Sequence, residues 1–178
     1  MRKRIIISVI ILLFIITAFA ENYPDIGLKR AGVKLGLVIP DSPYNIGFAL
    51  ALTGDLGKLH EIVGLEATVE YMRITKSEYN DVYHYARSDL SAVVTVKLMP
   101  QPKKLPFKPY LGGGLGVHHI FETVNIIEPP PSKTELELHI AIGATKELSE
   151  GIEGVFTFKV NLADISTYNP YVGVAFDL

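Results

Sequence analysis

From residue 31 onward this chain places large apolar residues at every second position, in eight separate segments. A period of two marks a β-strand whose two faces meet different surroundings. The segments are 31–39, 46–56, 62–74, 88–99, 108–121, 134–145, 152–162 and 169–178, separated by Pro, Gly, Asn, Asp and Ser. In the first, Ala31, Val33, Leu35, Leu37 and Ile39 share one face, and Gly32, Lys34 and Gly36 share the other. In the sixth, Leu136, Leu138, Ile140 and Ile142 oppose Glu137, His139, Ala141 and Gly143. No helical stripe of any length competes with this pattern. Eight strands suffice for a small closed barrel, an even number returns both termini to one end, and closure removes the unpaired edges. The expected fold is all-β: an eight-stranded antiparallel up-and-down transmembrane β-barrel.

The transmembrane reading rests on bulk. The lumen of an eight-stranded barrel has room only for side chains. One face of the segments carries Leu, Ile, Val and Phe, and the other carries Gly, Ala, Thr and a few charges. Small and polar groups suit a narrow interior, and the apolar face then suits lipid. The opposite assignment, apolar inside and polar outside, would make a soluble exported barrel of the lipocalin type that binds a small apolar ligand. On the membrane assignment the lumen holds Lys34, Glu66, Glu70, Lys97, Glu137, His139, Glu153 and Lys159. Buried charges persist when paired, so these residues are expected to form a salt-bridge network. Aromatic residues near strand ends, Tyr71, Phe107, Tyr110, Phe121, Tyr168, Tyr171 and Phe176, are expected in the interfacial girdles.

Export is written at the N-terminus. Arg2, Lys3 and Arg4 precede an apolar run over residues 5–20 that ends in Ala18-Phe19-Ala20, a small-x-small cleavage pattern. A run of 16 residues falls short of the roughly 20 that span a bilayer as a helix. We therefore expect residues 1–20 to be a cleaved signal peptide, 21–30 a short lead-in and 31–178 the barrel, located in the outer membrane of a diderm bacterium. Without the three signal-peptide cations the chain has 14 basic against 19 acidic residues, which argues against nucleic acid as a partner. The absence of cysteine leaves the exported fold without disulfides.

With the termini on the periplasmic side, the connections after strands one, three, five and seven face outward. The stretches around 75–87 and 122–133 are the longest of these, and 146–151 is a short inner turn; the short 40–45 and the long inner 100–106 go against the pattern. Tyr79, Tyr83, His84 and Tyr85 in the first long stretch form a candidate recognition loop, since exposed tyrosines serve binding surfaces well. Glu128-Pro129-Pro130-Pro131-Ser132 stiffens the second.

The stretches FKPYLGGGLGVHH and LGKLHEIVGLEATVEYMRI and the closing NPYVGVAFDL resemble the outer-membrane β-barrel family of OmpA-like and OmpW-like proteins. The resemblance implies a small porin-like barrel in contact with outer-membrane lipid, inserted by the barrel-assembly machinery. The favoured terminal Phe is displaced, because Phe176 is followed by Asp177 and Leu178.

Nothing in the sequence spells out a chemistry. His118 and His119 are adjacent and point to opposite faces of a strand, so they cannot chelate together. His118 and His139 could share the lumen near Glu137, but a metal is not expected. A membrane-embedded lipid-modifying enzyme would need an activated nucleophile, and the His-x-Ser pattern of barrel deacylases is missing. Gly112-Gly113-Gly114-Leu115-Gly116 lacks the Lys-Ser/Thr of a phosphate loop and suits a strongly curved strand. The expected function is non-catalytic, structural or surface-interacting, with no cofactor and with any surface partner met by the outer loops.

Overall fold

The computed structural model describes residues 24–41, 43–78, 83–100, 102, 105–124, 131–162 and 165–178. The expected signal peptide and Tyr79 lie outside these residues. Eight strands follow in chain order: β1 (Asp25–Pro40), β2 (Gly47–His60), β3 (Val63–Glu78), β4 (Tyr83–Leu98), β5 (Lys108–Val124), β6 (Lys133–Ser149), β7 (Ile152–Asn161) and β8 (Thr167–Asp177). Each pairs antiparallel with its chain neighbours, and β8 pairs with β1 to close the ring. The fold is an eight-stranded up-and-down transmembrane barrel, and each strand contains most of the segment that the alternation marks.

The register fixes its dimensions. Paired residues lead from Arg30 through Asp55, Glu66, Thr95, Gly114, His139, Asn161 and Thr167 back to β1 at Pro40, ten residues beyond the start. At about 3.3 Å per residue and 4.8 Å between strands, that stagger tilts the strands by about 40°. The backbone radius is then about 8 Å, so long side chains from facing walls meet at the axis.

Side chains obey the tilt and the alternation. Leu35, Leu52, Leu115, Leu138, Ile142 and Val172 are all more than half exposed on the outer wall, whereas Lys34, Glu70, Glu137 and Lys159 are buried inside. This orientation rules out the lipocalin-like arrangement, which needs the apolar side chains within.

The ends differ. At the end bearing the termini, β2–β3 and β6–β7 are joined by the two-residue turns 61–62 and 150–151, and β4–β5 by the longer 99–107. Gly151 takes φ 73°, a conformation that tight hairpin turns need and that glycine adopts without strain. The opposite end has 41–46, 79–82, 125–132 and 162–166. Two expectations change here. The stretch 75–87 is not a long loop: β3 and β4 stay paired out to Glu78 and Tyr83, because Thr75-Lys76-Ser77 and His84-Tyr85-Ala86 carry the same ladder past the last apolar row. The lead-in is also shorter than 21–30, since Asp25 to Lys29 already belong to β1.

Two tyrosines are displaced from their expected girdle positions. Tyr110 and Tyr171 are 3% and 2% exposed and point into the lumen. Each ring lies over a glycine on the neighbouring strand. A Cβ on Gly143 would fall 2.4 Å from Tyr110 Cζ, and one on Gly36 would fall 2.5 Å from Tyr171 Cδ1. Gly143→Ala would also press 2.3 Å against the Phe156 carbonyl oxygen, so it should cost about 1–3 kcal/mol through forced backbone shifts. Urea unfolding of detergent-solubilised protein checks this. Gly113→Ala is the matched control, with its nearest neighbour atom at 3.8 Å, and should leave the midpoint unchanged.

Candidate functional site

The inward residues of all eight strands build one polar lumen. Near the termini, the Arg30 guanidinium donates to Glu153 Oε2 at 2.8 Å and also to Asp177. Glu153 accepts from Thr145 Oγ1 at 2.9 Å and faces Lys108 Nζ at 3.7 Å. Deeper in, Glu66 receives Lys34 at 2.8 Å and Lys97 at 2.5 Å, one ammonium on each carboxylate oxygen. The Lys97 ammonium sits 4.5 Å above the Tyr110 ring, a cation–π arrangement. The Tyr110 hydroxyl in turn bonds Thr157 Oγ1 at 2.5 Å.

Beyond this layer one cation serves two carboxylates. Lys159 Nζ lies 2.8 and 2.9 Å from the two Glu70 oxygens and 3.2 Å from Glu137 Oε1. Glu137 also faces His139 Nδ1 at 3.5 Å, and His139 Nε2 bonds Thr95 Oγ1 at 2.9 Å. Farther along, His118 Nδ1 meets Asp89 Oδ2 at 2.7 Å, and Arg87 lies 3.8 Å from Glu122. Val38, Met72, Ile74 and Ile120, all buried, stop the end opposite the termini.

All eight residues expected in the lumen therefore lie on inward faces, and each makes at least one of these contacts. The remaining expected girdle aromatics face outward or lie at a rim. Phe107, Tyr168 and Phe176 are 39–45% exposed, Phe121 packs 5.2 Å from His119, and Tyr71 packs 6.1 Å from Phe48. The expected recognition loop dissolves into strand: Tyr83, His84 and Tyr85 open β4, with His84 Nδ1 3.2 Å from Ser77 Oγ. Lys76 lies between the rings of Tyr44 and Tyr85, 5.4 and 4.6 Å from their centroids.

Several buried or lumen-facing side chains were not singled out from sequence: Arg30, Arg87, Asp89, Thr95, Thr157 and Asn161. Parity would have found Asp89, which begins the row of Ser91, Val93, Thr95 and Lys97, and Arg87, which continues it once β4 is extended. The same alternation sets Tyr110 among Gly112, Gly114 and Gly116, and Tyr171 opposite Val172.

This arrangement stiffens the barrel and fills its lumen. Beyond a vestibule of about 540 Å³ at the terminal end, two interior spaces among the described residues measure about 30 and 10 Å³, the scale of single water molecules. His118 and His139 both face the lumen, yet among the described residues no three His, Asp or Glu side chains come together to hold a metal.

Fold and lumen together define a small transmembrane β-barrel with a filled interior. The chain is similar in fold to Neisserial surface protein A, at 14% identity over 84% of this chain and 95% of that one, with a TM-score of 0.59. It is likewise similar to a major outer membrane protein from Thermus thermophilus, at 13% identity, 85% and 100% coverage and TM-score 0.56. The N-terminal β-barrel domain of Pseudomonas aeruginosa OprF gives 16% identity, 85% and 99% coverage and TM-score 0.52. No family model and no curated protein matches the sequence.

Proposed function

We propose that this protein is a non-catalytic component of a bacterial outer membrane, a rigid barrel that holds a surface-exposed edge of sheet for interaction. The observation that carries the reading is the asymmetry of the barrel. Its outer wall is apolar over four or more rows, one end is trimmed to two-residue turns at two of its three connections, and at the other end paired strands run on past the apolar rows. Beyond Arg73 the β3–β4 ladder continues for five residues, to Glu78, roughly 12 Å along the barrel axis at the tilt above. Beyond the buried Ile74 its residues there, Ala86 apart, are polar or aromatic: Thr75, Lys76, Ser77, His84 and Tyr85. The solid lumen favours a scaffold over a channel, and the solved barrels of similar fold include surface proteins. Lipid of the outer membrane, and the assembly machinery during insertion, are the partners this reading requires.

The chain contains no cysteine, which gives a clean background for site-specific labelling. A cysteine at Ser77 should react with a membrane-impermeant maleimide on intact cells, and a cysteine at Glu150, in the β6–β7 turn, should react only after lysis. Labelling of both sites, or of Glu150 alone, on intact cells would overturn the proposed orientation.

A further inference from the structure

The outward rows of β3 to β6 carry, among the described residues, one permanent charge where lipid should lie. On β3 the outward row reads Leu65, Ala67, Val69, Tyr71, Arg73, Thr75, and on β4, read the same way, Leu98, Val96, Val94, Ala92, Leu90, Ser88. On β5 it reads Leu111, Gly113, Leu115, Val117, His119, Phe121, and on β6 Ile142, Ile140, Leu138, Leu136, Thr134. Among these side chains only Arg73 is a Lys, Arg, Asp or Glu, and it is exposed.

The four rows turn polar in the same band. Arg73 pairs with Ser88 and Ser88 with Phe121, while Tyr71 pairs with Leu90, Leu90 with His119 and His119 with Thr134. Within that band the Tyr71 hydroxyl bonds Ser88 Oγ at 3.1 Å. His119 Nδ1 is tied to Thr134 Oγ1 at 2.8 Å, which fixes its ring beside Phe121. The change from aliphatic to hydroxyl, imidazole and guanidinium marks the edge of the hydrocarbon layer. An arginine is costly at the bilayer midplane and nearly free at this depth, where lipid phosphates lie. A guanidinium fork matches a phosphate in two-point geometry.

We infer that Arg73, with the Tyr71 and Ser88 hydroxyls beside it, is a docking site for the phosphate of a membrane-lipid headgroup in the leaflet at the end opposite the termini. The inference rests on the membrane reading above. The occupant follows from charge and depth: the site is cationic, flanked below by aliphatic side chains that an acyl chain can cover, and open above to water. Lipid held there would fix the height of the β3–β4 edge above the membrane.

The test uses the full chain folded in neutral maltoside micelles, with dioleoyl phosphatidic acid as probe and heat-modifiable gel mobility and native mass spectrometry as readouts. A shift of mobility on heating, before any lipid is added, reports a folded barrel and so checks the membrane reading separately. Phosphatidic acid should raise the temperature of half-unfolding and leave one lipid bound per barrel. Arg73→Gln should fold normally and bind about tenfold more weakly, with Arg73→Lys between the two. Lys58→Gln, at the other rim, should match the parent protein. A folded barrel whose response to phosphatidic acid is unchanged in Arg73→Gln would overturn the inference, as would an equal response to inorganic phosphate, which would make the site one for free anions.

Discussion

Lys159→Met should be the most damaging single substitution in this barrel. The Lys159 ammonium is held by Glu70 and Glu137, whose side chains are 2% and 1% exposed, so its removal strands two buried carboxylates beside each other. Breaking a buried pair by deleting one partner costs about 3–5 kcal/mol, because the charge left behind stays uncompensated. The expected result is a large fall in the urea midpoint of refolded protein, or failure to form the compact gel band at all. Adding Glu70→Gln and Glu137→Gln to the same chain should recover most of the loss, since the network is then neutral rather than broken. A single mutant as stable as the parent would mean that the lumen tolerates free charge and is not a filled, charge-paired interior.

The second large effect is expected on the outer wall. Leu138 is 54% exposed and sits in the middle of the apolar row of β6. For a water-exposed side chain, Leu138→Arg would change stability by no more than about 0.5 kcal/mol. For one that faces the middle of a bilayer it should cost about 2–4 kcal/mol. Unfolding from phospholipid vesicles gives that difference directly, and Thr134→Arg, at the polar end of the same row, should cost about 1 kcal/mol or less. Equal, small effects at both positions would remove lipid from the outer wall.

The fold was legible because a barrel obeys one rule along its whole length. Every second residue faces in, so Val33 and Lys34, or Leu138 and His139, declare their sides by composition alone. The lumenal charges followed from the same parity. The misplacements came from setting it aside: Tyr110 and Tyr171 were assigned by nearness to strand ends, although their neighbours Leu111 and Val172 lie on the apolar side. Strand ends were less legible, because outside the bilayer the two faces no longer meet different solvents and the alternation fades. That is why Lys76 and Tyr85 read as loop and prove to be ladder. The pairings within the lumen could not be read at all. Which carboxylate Lys159 meets depends on the ten-residue stagger of the ring, a property of all eight strand registers together.

Membrane fractionation followed by gel electrophoresis of unheated and boiled samples tests the central claim most directly. A closed barrel facing lipid should sediment with the outer membrane, require detergent for extraction and shift its mobility on boiling. Recovery in the soluble periplasmic fraction, with the same mobility before and after boiling, would contradict the account.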